Sequence, residues 1–137
     1  TSALNTARVF SPLINNLGSI TFISSIAGIE NIGAPTEYSI AKSSIITFSK
    51  ILSQKLAPTV RVNTAVPGNI FFKNGTWDLK NSENPILVSE MLGKNVPLMR
   101  FGKPEEVADL VIFLSSERAA FITGACITID GGQTKSF

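Results

Sequence analysis

The stretch SITFISSIAGIENIGAPTEYSIAK, residues 19–42, decides the fold. It starts with a short, apolar, β-rich run, SITFISS (residues 19–25), of the kind that forms a buried parallel strand. A loop with Gly28, Gly33 and Pro35 follows, and a long helix opens near Thr36 and runs to about Leu56. Tyr38 is the only tyrosine in the chain. Lys42 follows it by four residues, so in a helix the two stand one turn apart on one face. A strand ending in Ser24 and Ser25 thus lies just before a helix that opens with a phenol beside an ammonium.

The flanking sequence repeats the alternation of helix and strand. Residues 3 to 17 read as a helix, with Ala3, Ala7, Phe10, Ile14 and Leu17 on one stripe and Gly18 as its stop. The long helix carries Ala41, Ile45, Phe48, Leu52 and Leu56 on one stripe, with Ile40 and Ile51 on a second apolar side. A helix apolar on two sides is expected to be covered by a sheet and by another helix. VRVNTAV (residues 60–66) is the next strand, closed by Pro67-Gly68. Residues 69 to 103 read as irregular, with one short helix near Leu87 to Leu92. Pro104-Glu105-Glu106 opens a further helix, with Pro at the first position and acids near the positive helix end. Its core stripe is Val107, Leu110, Val111 and Leu114. ACITID (residues 125–130) is the last strand, followed by Gly131-Gly132. This order predicts an α/β fold with a parallel sheet and right-handed crossovers. Such sheets bind ligands beyond the C-terminal strand ends, where Ser25, Pro67-Gly68 and Asp130 collect.

Composition narrows the chemistry. The 137 residues amount to about one domain, and 44% of them are apolar. Twelve basic and ten acidic residues give a net charge of +2, too balanced to argue for nucleic acid or an anionic membrane. No apolar stretch reaches the roughly 18 residues of a membrane span. TSALNTARVF, at the start, lacks the pattern of a signal peptide. The single cysteine, Cys126, rules out an internal disulfide and fits a reducing, cytoplasmic location. Its apolar context predicts a small buried hydrophobe. There is no histidine, which removes Ser-His-Asp and Cys-His catalysis and most zinc sites. No metal is expected. Acid–base work falls to Tyr, Lys or a carboxylate.

Several motifs together resemble the classical short-chain dehydrogenase/reductases. They are the double serine at a strand end, Tyr-x-x-x-Lys thirteen residues after Ser25, RVNTAVPG, and GKPEEVADLVIFLSSERAAFITGACITIDGG at residues 102–132. A lone Tyr-x-x-x-Lys is weak, but the ordered set is specific. The resemblance covers nearly the whole chain. It implies a partial Rossmann-type, doubly wound parallel sheet whose strands resemble the family's fifth, sixth and seventh. The family begins with a glycine-rich turn that holds the dinucleotide pyrophosphate. The ten glycines here include no G-x-G. Residues 1–137 are therefore expected to be the C-terminal catalytic half of one such domain.

What the resemblance implies about chemistry is specific. Tyr38 is the acid/base, helped by the Lys42 ammonium, which favours the phenolate. Ser25 hydrogen-bonds the substrate oxygen. The thirteen-residue spacing selects Ser25, leaving Ser24 as a strand-end hydroxyl and Asn63 as a structural amide. Hydride comes from nicotinamide, because no side chain supplies one. Tyr38, Lys42, Pro67, Gly68 and Ile70 are expected to bind that cofactor, NAD or NADP. The family often has Thr five residues after this Pro, whereas here the position is Phe72, with Thr76 nearby as a replacement. Trp77, Met91 and Leu92 lie where the family covers its substrate. The implied function is an NAD(P)-dependent oxidoreductase interconverting a carbonyl and a secondary alcohol, 3-oxoacyl-reductase-like or polyol-dehydrogenase-like. The implied assembly is a homodimer or homotetramer. The alternative is a non-catalytic fragment or pseudoenzyme serving only subunit contacts. An epimerase or dehydratase of the extended branch also uses Tyr-x-x-x-Lys, but the compact ending at Asp130-Gly131-Gly132 disfavours it.

Overall fold

The computed structural model describes residues 2–136. Its strands are β1 (Gly18–Ile23), β2 (Val60–Pro67) and β3 (Cys126–Ile129), and its helices are α1 (Ser2–Phe10), α2 (Thr36–Leu56), α3 (Thr76–Glu83), α4 (Pro85–Asn95) and α5 (Pro104–Ser115). The strands form one parallel sheet in the order β1-β2-β3. In register, Ile20 faces Val62 and Thr64 faces Cys126. The α/β fold with a three-stranded parallel sheet is the one the sequence predicts.

The central strand explains why the sheet has helices on both sides. Side chains alternate between faces along a strand, yet Val62, Asn63, Thr64, Ala65 and Val66 are all buried. Both faces of β2 are therefore covered, by α2 and by α5. Asn63 pays for its burial with two bonds. Its Nδ2 donates to the Ile122 carbonyl (2.9 Å), and its Oδ1 accepts from Ala125 N–H (3.0 Å). Arg61 closes the end of α5: its guanidinium donates to the carbonyls of Leu114 (2.8 Å) and Ser116 (3.1 Å). A cation there meets the negative end of the helix.

Four details depart from the sequence reading. The first helix ends at Phe10, not Leu17, because Pro12 draws Ser11–Leu13 into a 3-10 turn. Phe10 and Leu17 are exposed rather than on a core stripe. On α2 the fully buried positions are Ser49 and Ser53, while Ala41 is exposed and Phe48 is half-buried, edge-on to Phe22 at 5.7 Å. Small residues let α2 lie close to the sheet: a Cβ on Gly124, next to β3, would sit 2.7 Å from Ser53 Oγ. Residues 69 to 103 hold two helices, not one. The second starts where Asn84 Oδ1 accepts from Leu87 N–H (3.1 Å) ahead of Pro85. Finally, Cys126 is exposed, because β3 is short and its Cys126–Thr128 face is not covered among the described residues.

Candidate active site

The site is assembled where β1 ends. Ser24 N–H donates to the Ala65 carbonyl (2.9 Å), which continues the sheet by one residue. Ser24 Oγ, buried, donates to the Lys42 carbonyl (2.7 Å). Gly28 approaches the same point: a Cβ there would lie 2.7 Å from the Lys42 carbonyl carbon and 2.8 Å from Ser43 N. No other residue type fits. The loop after β1 and the first turns of α2 are thus locked together at Lys42. Ser25 Oγ accepts from Ala27 N–H (3.2 Å) and opens a short 3-10 turn, Ile26–Gly28. Among the described residues its own hydroxyl proton has no acceptor, so a donor remains available.

Lys42 Nζ lies 5.6 Å from the centroid of the Tyr38 ring and donates to the Ile23 carbonyl (3.3 Å). The i, i+4 spacing therefore places a positive charge beside the phenol. Tyr38 is 45% exposed, so the phenol meets solvent at the rim.

The end of β2 meets the end of β3. Gly68 N–H donates to the Ile129 carbonyl (3.0 Å), and a Cβ on Gly68 would fall 2.7 Å from Asp130 Cβ. Beyond it, residues 69 to 71 bridge to Gly102 through Phe71 N–H and the Asn69 carbonyl. Among the described residues the Ile70 N–H has no acceptor. Asp130 holds the next turn, accepting from Gly132 N–H (2.9 Å), Thr134 N–H (2.7 Å) and Thr134 Oγ1 (2.7 Å). Burial pushes its carboxyl up, but the hydrogen bonds from Thr134 and Gly132 outweigh it and hold it below its ordinary value.

A cleft of about 630 Å³ opens between these parts. It brings together Ser25, Tyr38, Gly68 and Ile70. Lys42 does not line it; it lines a neighbouring groove between α1 and β1. Pro67 lines neither. The far wall comes from the segment after β2: Phe72, Thr76, Trp77 and Met91, but not Leu92. Trp77 packs on Phe101 (centroids 5.3 Å apart) and carries Lys80 Nζ 4.9 Å from its ring centroid. Asn69, Asn95 and Gln133 also line the cleft, and the sequence reading did not single them out. Asn69 is adjacent to Pro67-Gly68, which was a usable signal; Asn95 and Gln133 had none.

Residues 1–134 match a family model described as enoyl-(acyl carrier protein) reductase. The chain is 41% identical, over 129 residues, to the 3-oxoacyl-(acyl-carrier-protein) reductase of Chlamydia trachomatis serovar D, covering 93% of this chain and 50% of that protein. A 3-oxoacyl-(acyl-carrier protein) reductase from Brucella melitensis with bound NAD superposes with a TM-score of 0.81 at 32% identity, covering 97% of this chain and 48% of the other. L-sorbose reductase from Gluconobacter frateurii, complexed with NADPH and L-sorbose, gives 0.80 at 28% identity, with 89% and 49% covered. The chain belongs to the short-chain dehydrogenase/reductase family. It spans about half the length of the curated relatives it matches.

Proposed function

We propose that this chain is the catalytic half of an NAD(P)-dependent oxidoreductase that interconverts a ketone and a secondary alcohol. The observation that carries the reading is Tyr38 on the cleft with the Lys42 ammonium 5.6 Å from its ring. In the reductive direction the Tyr38 phenol gives its proton to the carbonyl oxygen. The Ser25 hydroxyl donates a hydrogen bond to the same oxygen, stabilising the charge that develops on it. The Lys42 ammonium stabilises the phenolate that remains. A nicotinamide coenzyme, when bound, supplies the hydride.

The residues present fit the nicotinamide end of such a coenzyme. The cleft is open beside Tyr38, the Lys42 ammonium on the neighbouring groove would be a donor for a ribose hydroxyl, and Ile70 N–H, two residues past Gly68, has no acceptor among the described residues. Pro67 and Gly68 fix the backbone that presents it. The pyrophosphate turn belongs, on this reading, to a dinucleotide-binding half outside these 137 residues. The reductases acting on acyl-carrier-protein substrates and on sorbose support two substrate classes, an oxoacyl group and a polyol. A cytoplasmic homodimer or homotetramer completes the reading.

Replacing Tyr38 by Phe in the intact protein removes the proton donor and leaves the ring. Reductase turnover should fall by about 100-fold or more, with coenzyme affinity kept. Retention of more than about a tenth of wild-type kcat would remove Tyr38 from the role of acid. Lys42→Met should lower turnover and coenzyme affinity together, followed by nicotinamide fluorescence. A second reading is a non-catalytic fragment or pseudoenzyme serving only subunit contacts. Under it the intact protein turns over no ketone and the Tyr38 and Lys42 variants behave as wild type.

A further inference from the structure

The cleft that holds Ser25 and Tyr38 carries a charge that the chemistry above leaves unused. Among the described residues that line it, Lys80 is the only one with a charged side chain. Lys80 stands three residues after Trp77 on α3, so the two share one helix face. Its Nζ lies 4.9 Å from the Trp77 ring centroid, an attraction that keeps the ammonium at this wall of the cleft. The ring is itself held. Trp77 packs on Phe101 (5.3 Å), and Phe101 packs on Phe71 (5.6 Å), whose N–H donates to the Gly102 carbonyl. Among the described residues Lys80 makes no ion pair, whereas Arg100 is neutralised by Glu106. It donates no hydrogen bond either, whereas Lys42 and Lys50 donate to the carbonyls of Ile23 and Gly124. The residue is exposed, so a ligand can reach it. Its neighbours on the wall, Phe72, Trp77 and Met91, are apolar. A charge beside apolar walls is screened less than one on an open surface.

Resting on the oxidoreductase reading, we infer that Lys80 selects the substrate: a ketone that carries an anionic group, carboxylate or phosphate, remote from the reacting carbonyl. The carbonyl lies at Tyr38 and Ser25, and the anion lies against the ammonium on the opposite wall. An anion there gains a charge-assisted hydrogen bond from Lys80. A neutral ketone of the same length gains only the apolar contacts of the wall. The ammonium also draws anions toward the mouth of the cleft and disfavours cations. Lys80 is a specificity residue, with no part in proton transfer.

The test compares ketones that differ in charge. 4-Oxopentanoate and 5-oxohexanoate, each against its methyl ester, examine a carboxylate at two distances, and hydroxyacetone phosphate against hydroxyacetone examines a phosphate. Binding to the intact protein is measured by calorimetry with NAD+ or NADP+ present, so that no turnover is needed. The wild type should favour the anionic member of at least one pair by about fivefold or more, and the preference should shrink as salt is added. Lys80→Met should bring that pair within about twofold by weakening the anion alone. Lys80→Arg should keep the preference, and Lys80→Glu should reverse it, which a merely structural role for the side chain would not do. A wild type that binds none of the six, or favours no anion, overturns the inference. So does a Lys80→Met variant that keeps the preference or loses both members of the pair equally. A loss of coenzyme affinity in Lys80→Met also overturns it, because the ammonium then serves the coenzyme. Reduction of the neutral ketones by the wild type, followed separately by NADH or NADPH oxidation, tests the oxidoreductase reading without involving Lys80.

Discussion

Gly68 shows how one residue serves both fold and site. Its N–H extends the β2–β3 ladder, and its missing side chain lets Asp130 lie against it. A methyl group there meets backbone and Cβ atoms that have no room to move. Gly68→Ala should destabilise the protein by about 1–3 kcal/mol, read as a lower melting temperature. Because Ile70 is two residues on, coenzyme affinity should fall too. The Arg100–Glu106 pair makes a different statement. Two guanidinium bonds (2.6 and 2.8 Å) hold the Glu106 carboxyl down to about 2 from 4.5, helped by a bond from Lys103 N–H. A carboxyl lowered on folding adds stability above its unfolded value and loses it as pH falls through its folded value. The stability gap between wild type and Glu106→Gln should thus be full above pH 4.5 and close toward pH 2, as urea midpoints would report. The pair is exposed, so the gap should also shrink with added salt.

The elements show what the sequence made legible. β1, α2, β2 and α5 stand within a residue or two of their expected bounds, because each has a strong pattern and a clear start or stop: Gly18, Thr36, Pro67-Gly68, Pro104. Ser25, Tyr38, Gly68 and Ile70 meet on one cleft for the same reason, since spacing along regular elements fixes their positions. α3 was illegible because TWDLKNSE has only two apolar residues, and its order comes from Trp77 packing on Phe101 across the segment. The inner face of α2 was misread because its sheet contacts use serines. Ser49 Oγ is buried with no partner among the described residues. Removing an unpaired buried hydroxyl relieves its desolvation, so Ser49→Ala should raise stability by roughly 1 kcal/mol in a denaturant titration. A drop in stability would mean that a water or a partner satisfies that hydroxyl.

At the scale of the whole molecule, two surfaces look unfinished. β1 pairs with β2 on one side, and among the described residues its other edge has no strand. Val9, Phe10 and Leu13 near the end of α1, and Ile40 and Ile51 on α2, are exposed apolar side chains. Open strand edges and apolar helix faces both seek partners. Residues 1–137 expressed alone should therefore aggregate, and should bind neither NADH nor NADPH at micromolar concentration. A soluble monomer that does bind would sink the half-domain reading. The intact protein should run as a dimer or tetramer in light scattering at micromolar concentration, with a melting temperature that rises with protein concentration.

The wall of the cleft has an optical consequence. Trp77 is the only tryptophan in the chain, and it lines the cleft with an ammonium 4.9 Å from its ring and Phe101 against its side. Indole emission is sensitive to nearby charge and to wetting. Excited at its red edge, this chain has one chromophore, and that chromophore lies at the proposed binding site. A ligand entering the cleft of the intact protein should shift or quench the Trp77 band, which the difference from a Trp77→Phe variant isolates. Lys80→Met, which removes the charge and leaves the ring in place, should move the unliganded band by itself and so assign the signal to this wall.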